Sequence, residues 1–322
     1  MVHFTATRTA TDRGIRTLIS VCDLAGSELG RLVSRSCEFF AGRGPYGTPL
    51  TGTVVGVLFT ATSTRTRTAF TAGALRLGAS VIPYGPGELQ TATGETFADT
   101  ARVLGQMLDA IVIRDSVGAS DLRDFARLAR IPVINAMARE EHPTQGVSDV
   151  AMLAAHFGAL DGIHVAYVGE GNNTASALAL SIAMTPGARL TLATPPGYGL
   201  DPSILATAQR LAGTTGGRVT EVHDTVGIDG VVDVVYTTQW CTTGTVKADP
   251  RWREAFAPFA VDERLMARWP GAVFMHDLPA HRGDEVSAAV LDGPRSIAWH
   301  QARMKLASAM AVLEWCLTPP AA

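Results

Sequence analysis

Residues 63–68 read Ser-Thr-Arg-Thr-Arg-Thr, separated by three residues from the apolar run Val54–Phe59. Two arginines and four hydroxyls therefore meet at an expected helix start. Backbone N–H groups there favour an anion, and hydroxyls with guanidinium forks complete a phosphate cradle. The same composition also makes an ordinary Thr-rich N-cap followed by solvated arginines. Arg114 closes the run Ala110-Ile-Val-Ile. At the carboxyl end of a parallel strand it faces the crevice where α/β ligands bind, and its plainer role is a surface ion pair. His142-Pro-Thr-Gln145 sets two polar side chains three apart at a helix start, so both can face one ligand. A lone histidine there is otherwise a cap or a packing residue. His276-Asp-Leu-Pro279 follows another strand-like run. Gly169-Glu-Gly-Asn-Asn173 has the outline of a dinucleotide fingerprint, but Thr174 and Ala175 follow where a third glycine is needed.

These segments sit at the breaks of a regular pattern. Short β-branched runs alternate with longer Ala/Leu-rich segments of helical period, which is the α/β class. Val54–Phe59, Ser80–Pro83, Ala110–Ile113 and Val133–Asn135 are predicted strands of a first parallel sheet, with helices at Thr68–Leu77, Phe97–Leu108 and Asp121–Ala129. A second cycle places strands at Val165–Val168, Arg189–Thr194, Arg218–Val222, Val232–Tyr236 and Val273–His276, and helices at Thr174–Met184 and Pro202–Ala212. The helix after His142, through Val150 to about Phe157, is the expected hinge, and a long Ala-rich helix spans Gln301–Cys316.

Composition narrows the function. The 322 residues are 47% hydrophobic, enough for two ordinary cores. A net charge of −3 with intermixed signs argues against a nucleic-acid stripe or a polybasic membrane patch. No run has the length of a membrane span, and the start, with Arg8, Asp12, Arg13 and Arg16, is not that of a secretory signal. Cys22, Cys37, Cys241 and Cys316 lack metal-ligand spacing and read as reduced thiols of a cytoplasmic protein, most of them buried filler.

Together the Ser63, His142 and His276 segments resemble the aspartate/ornithine carbamoyltransferase family, from near Val21 to near Leu313. The resemblance implies two α/β domains, each a parallel sheet flanked by helices. Residues 1–148 would bind carbamoyl phosphate and 149–300 the amino acid or amine, with the helix of about 301–318 packing back on the first domain. It implies that Ser63, Thr64, Arg65 and Thr66 hold phosphate, with Arg67 bracing the loop. Arg114 would reach both phosphate and carbamoyl oxygen, and His142 and Gln145 would hold the carbamoyl group. Thr66, Arg114, His142 and Gln145 are the catalytic set. Lys305 and the Leu278 carbonyl complete the donor site, and Gln90 matches a position that reaches a neighbouring subunit. Asn172 or Asn173, Thr238, Thr242, Thr243, Asp277 and Leu278 would face the acceptor. Carbamoyl transfer needs positioning and charge stabilisation, so no metal or organic cofactor is called for. Family members form trimers with active sites between subunits, so a homotrimer is expected.

The ornithine branch fits better than the aspartate branch, because Ala280-His281-Arg282-Gly283 follows the motif as it does there. That branch usually has cysteine at the position of Asp277, aspartate at Thr238, Ser-Met at Thr242-Thr243 and arginine at Lys305. Lysine keeps the charge but loses the planar fork. One carboxylate has left the amino-acid side and another has arrived beside the motif. The expected acceptor is accordingly a short diamino acid of specialised metabolism, 2,3-diaminopropionate or 2,4-diaminobutyrate, with Asp277 holding a non-reacting amine. Ornithine is the alternative. A catalytically silent regulator or scaffold and a nicotinamide dehydrogenase are the remaining readings.

Overall fold

The computed structural model describes residues 14–42, 47–242 and 245–318. The chain divides into two compact units, residues 14–151 with 303–318, and residues 152–302. The divisions fall inside two helices, Pro143–Phe157 and the C-terminal Ala298–Leu317.

The first unit holds β1 (Val54–Phe59), β2 (Ser80–Tyr84), β3 (Ala110–Arg114) and β4 (Val133–Asn135), all parallel in the order β2-β1-β3-β4. β1 and β3 are buried on both faces, which is why they read as unbroken apolar runs. Pro83 lies in the edge strand β2, where a missing donor is tolerated. At the other edge, Leu18 adds a parallel bridge to Ile134. The helices are α1 (Gly26–Phe40), α2 (Arg65–Arg76), α3 (Phe97–Leu104), α4 (Ala119–Ala129) and the start of α5 (Pro143–Phe157). The C-terminal helix, Ala298–Leu317, contributes its later turns. Glu314 takes a two-point ion pair from Arg35 of α1, at 2.6 and 2.9 Å, and Arg303 donates to the Phe40 carbonyl at 2.6 Å. This helix therefore packs on the first domain.

The second unit holds β5 (His164–Val168), β6 (Arg189–Ala193), β7 (Arg218–Val222), β8 (Val234–Thr237) and β9 (Val273–His276), parallel in the order β7-β6-β5-β8-β9. α6 (Asn173–Ala183) and α7 (Pro202–Thr215) pack on it, with short helices at Trp252–Phe256, Glu263–Met266 and Ala288–Leu291. Its core gathers Val235, Phe259, Met266 and Phe274, while the first unit's core centres on Leu58, Ile111, Leu122 and Phe125.

Several predicted boundaries move. α3 stops at Leu104 rather than Leu108: the Ala129 carbonyl, 2.0 Å from where a Cβ would be, leaves room only for glycine at 105, and that glycine is the C-cap. β8 begins at Val234 rather than Val232, since Asp233 turns its carboxylate to the His164 N–H at 2.8 Å. α1 was not foreseen: two glycines and three serines make it a poor helix by propensity. Its buried stripe of Leu29, Leu32 and Phe39 outweighs that. The cysteines also differ from expectation, since only Cys316 is buried and the other three are half-buried.

Candidate active site

In the first sheet the chain leaves β1 for β2 on one side and β3 lies on the other, so the carboxyl ends of β1 and β3 form a switch point. Phe59 and Arg114 are register partners there, at the two strand ends. Ser63 and Arg65 are half-buried and Thr64 is exposed, and the Thr64 hydroxyl makes no cap to α2. The first-turn N–H groups of α2 are thus not closed off by their own N-cap. Arg114 is buried, with Nη1 3.5 Å from the Ser63 hydroxyl.

A small cavity in this unit is lined by Thr66, His142, Thr144, Gln145 and Lys305, walled by Phe70, Ala69, Ser308 and Ala309. Lys305 comes from the C-terminal helix, so a residue remote in sequence supplies the cavity's ammonium. His142 Nδ1 lies 3.2 Å from the Thr144 hydroxyl. Burial holds this imidazole well below its ordinary pKa, and the nearby Lys305 and Arg114 charges lower it further. His142 is therefore neutral in a field of two cations. Gln145 donates from Nε2 to Asp149 at 2.6 Å, while its Oε1 is buried with no partner. An orphan buried acceptor beside cationic groups calls for a ligand that brings its own N–H. Gln90 stands apart from this set: it is exposed, does not line the cavity, and accepts from the Thr93 hydroxyl at 2.7 Å.

The loop carrying His142 is held from beneath. Asn135, at the end of β4, donates to the carbonyls of Ile19 and Glu141 at 2.8 and 3.3 Å. Glu141 accepts from the Val21 N–H at 2.7 Å. Burial raises the Glu141 carboxyl from 4.5 to about 7, opposed by the hydrogen bonds from Ser20 and Val21. A raised carboxyl binds its proton more tightly in the folded chain. Its stabilising contribution is thus complete below pH 4.5 and is lost as pH rises through about 7. The loss is about 3 kcal/mol. In denaturant titrations run from pH 4.5 to 8, Glu141→Gln is expected to lose that fall, read as the difference from the wild type so that the opposite contribution of His142 cancels. An identical slope in the variant would place the titrating group elsewhere.

In the second sheet the switch point lies between β5 and β8. Asn172 caps α6, its Oδ1 accepting from the N–H groups of Thr174 and Ala175 at 3.0 and 3.1 Å. Its Nδ2 donates to the hydroxyls of Thr238 and Thr242 at 3.0 and 3.2 Å. Thr238 is almost fully buried and also meets the Tyr167 hydroxyl at 3.2 Å. Asn173 is the first residue of α6. Gly171 is demanded by the chain itself, since a Cβ would lie 2.2 Å from the Leu200 nitrogen. The incomplete dinucleotide fingerprint is thereby a packing feature.

At the end of β9, the Leu278 N–H donates to His276 Nδ1 at 2.8 Å, and His276 Nε2 lies 3.2 Å from Glu285. Since Nδ1 accepts, the ring proton sits on Nε2 and is given to Glu285. His276 is thus an internal brace that holds Leu278 at φ 57° ahead of a cis peptide to Pro279. Asp277 accepts from the Thr174 hydroxyl at 3.0 Å and keeps 16% side-chain exposure at this edge. Thr243 lies outside the described residues. Glu170 and Lys247 form an ion pair that sequence reasoning did not find, because nothing local links positions so far apart. Among the described residues no cluster of metal-ligating side chains occurs, and no helix is long and apolar enough to cross a membrane.

Comparison with known proteins gives a consistent result. Residues 16–155 match the family described as aspartate/ornithine carbamoyltransferase, carbamoyl-P binding domain, and residues 161–316 match its Asp/Orn binding domain. The ornithine carbamoyltransferase of Gloeobacter violaceus is 37% identical over 297 residues, spanning 92% of this chain and 94% of that protein. That of Methanothermobacter thermautotrophicus is 36% identical, spanning 94% of this chain and 99% of that protein. The solved ornithine carbamoyltransferase of Pyrococcus furiosus superposes with a TM-score of 0.87 at 34% identity, covering 95% of this chain and 98% of that one.

Proposed function

This chain belongs to the aspartate/ornithine carbamoyltransferase family and is a carbamoyltransferase, and we propose that it moves the carbamoyl group of carbamoyl phosphate to the side-chain amine of ornithine, releasing phosphate. The observation that carries the donor half is the cavity itself. A buried glutamine oxygen without a partner, a neutral imidazole, a hydroxyl and an ammonium converge in it, with Arg114 close enough to depress the imidazole. A dianionic phosphate suits the cations and the first turn of α2. A carbamoyl NH2 suits the orphan oxygen of Gln145.

In this reading Ser63, Thr64, Arg65 and Thr66 hold the phosphate. Arg114 spans phosphate and carbonyl oxygen, Lys305 supplies the second charge, and the Leu278 carbonyl takes an N–H of the transferred group. With Thr144 donating to Nδ1, His142 offers Nε2–H to the carbonyl oxygen. The uncharged amine attacks the carbamoyl carbon, forming the C–N bond. The tetrahedral oxyanion collapses, the C–O bond to phosphate breaks, and the amine's proton leaves with phosphate. Fixed donors aimed at that oxyanion supply most of the acceleration. On the acceptor side Asn172 and Thr238 brace one another, and Asn173, in the first turn of α6, meets the acceptor's carboxylate. Thr242 and Asp277 complete the acceptor side. We also propose a homotrimer in which the exposed Gln90 serves a neighbouring subunit; a monomer in sedimentation analysis would contradict this.

Ornithine is supported by the relatives, which carry that name at 36–37% identity over more than nine-tenths of this chain. The shorter diamino acids gain nothing from the relatives. They remain a second reading because of Asp277, a partly exposed carboxylate at the carboxyl edge of β9. An ammonium held by Asp277 fits either reading. Asp277→Asn is expected to raise KM for the amino-acid acceptor by roughly tenfold, the worth of about 1.4 kcal/mol, while KM for carbamoyl phosphate stays put. Equal effects on both KM values would remove Asp277 from acceptor recognition. The choice of acceptor is settled by kcat/KM across ornithine, 2,4-diaminobutyrate, 2,3-diaminopropionate and aspartate, with product masses recorded. Ornithine ranking first supports the proposal, and a shorter homologue ranking first replaces it.

A further inference from the structure

Lys247, in the second unit, has no part in the acceptor site as described. Its side chain is only 6% exposed, and its ammonium meets the carboxylate of Glu170. The same nitrogen lies 5.2 Å from the centroid of Tyr198 and 5.3 Å from that of Phe256. Tyr198 and Phe256 are in turn edge-packed at 4.8 Å, with Trp240 against Phe256 at 5.6 Å. An ammonium shed of water in such a pocket needs both its carboxylate and the ring faces. A solvated surface ammonium would need neither.

Both ends of this clasp lead to groups assigned to the acceptor. The Glu170 carbonyl accepts from the Asn172 N–H at 2.8 Å and from the Tyr167 hydroxyl at 2.6 Å. Gly171, between them, donates to the Tyr198 carbonyl at 2.8 Å. On the other strand of the circuit, Thr245 donates to the Thr242 carbonyl from its backbone N–H at 2.9 Å and from its hydroxyl at 2.7 Å. Without the clasp, the 169–173 turn would be tied to Thr242 by the Asn172 amide, and to Thr238 by that amide and by the Tyr167 hydroxyl, which also bonds the Glu170 carbonyl.

We propose that Lys247 is a positioning residue for the acceptor: by clasping Glu170 between the faces of Tyr198 and Phe256, it pins the segment carrying Thr242 to the turn carrying Asn172. The inference rests on the carbamoyl-transfer reading for its kinetic meaning and on geometry for the clasp itself. Burial pushes the Glu170 carboxyl up and the Lys247 ammonium holds it down, so the two groups depend on one another.

The test compares Lys247→Met, Lys247→Arg, Glu170→Gln and the double variant Lys247→Met/Glu170→Gln with the wild type. Lys247→Met is expected to raise KM for ornithine by roughly tenfold, leaving KM for carbamoyl phosphate within about twofold. Lys247→Arg keeps the charge and is expected to recover most of the loss. The double variant is expected to be no worse than Lys247→Met alone, since both changes open one clasp. Amide exchange over residues 238–242 and 245–247 is expected to quicken in Lys247→Met. Unchanged exchange with an unchanged ornithine KM overturns the proposal, as does a parallel loss of affinity for both substrates. If the wild type carbamoylates no ornithine, the acceptor reading fails on its own, and the exchange rates still decide the clasp.

Discussion

Replacing Arg114 by methionine is expected to lower kcat/KM for carbamoyl phosphate by on the order of 10³-fold with the fold preserved. The expectation follows from placement. Arg114 is the last residue of a strand buried on both faces, so the sheet, not a loop, fixes its guanidinium. Methionine keeps most of the stem that packs there. What it removes is a pre-aimed fork whose charge grows in value as oxyanion and leaving phosphate develop. A second readout follows from electrostatics. Arg114 is one of the two charges that lower His142, so in Arg114→Met the imidazole is expected to titrate nearer its ordinary value. Proton NMR of the ring against pH would show that shift. A variant with near-wild-type kcat/KM would remove Arg114 from the reaction.

His142→Ala is the second large effect, a loss on the order of 10²-fold in kcat, with His142→Asn retaining part of the rate by offering an amide donor. The distinguishing mark is the pH profile. Burial and two cations keep His142 neutral well below the ordinary histidine range, so no inflection belonging to it is expected between pH 6 and 8. Rates there rise with pH only as the acceptor amine loses its proton. The stability linkage has the matching sign. The folded chain resists protonating His142 while the unfolded chain accepts the proton near 6.5, so stability is complete above 6.5 and is lost as pH falls below it. A kcat profile that collapses on passing from pH 7 to 6, and recovers that acid-limb activity in His142→Asn, would show instead that a charged imidazole inhibits within the working range.

Reading the chain unaided reached the donor side further than the acceptor side, for a physical reason. The proposed phosphate cradle is local: a strand, a short turn and six polar residues that open a helix follow one another in the chain, so residue type and spacing carry the signal. Arg114 was legible as a candidate because strand ends point to ligand crevices. What could not be read is the charge state of His142, which depends on burial and on Lys305 arriving from the far end of the chain. The choice between Asn172 and Asn173 was equally closed to sequence. In the structure Asn172 spends its oxygen on a helix cap and its N–H groups on two threonines, and the proposal therefore gives the acceptor contact to Asn173. His276 stood out as a motif residue, yet its ring serves Leu278 and Glu285. The Glu170–Lys247 pair had no signal at all. Among the elements, α1 was hidden by low propensity that tertiary burial overrides. The shifts at α3 and β8 came from contacts with segments distant in sequence.

The central claim is that this protein transfers a carbamoyl group from carbamoyl phosphate to ornithine. The most direct test follows carbon-labelled carbamoyl phosphate with ornithine and the wild-type protein, measuring label in the amino acid and free phosphate over the same interval. The account predicts label appearing on ornithine one-for-one with phosphate, and neither process in Arg114→Met above the uncatalysed rate. Phosphate release with no label on ornithine, or the same transfer rate in Arg114→Met, would contradict it.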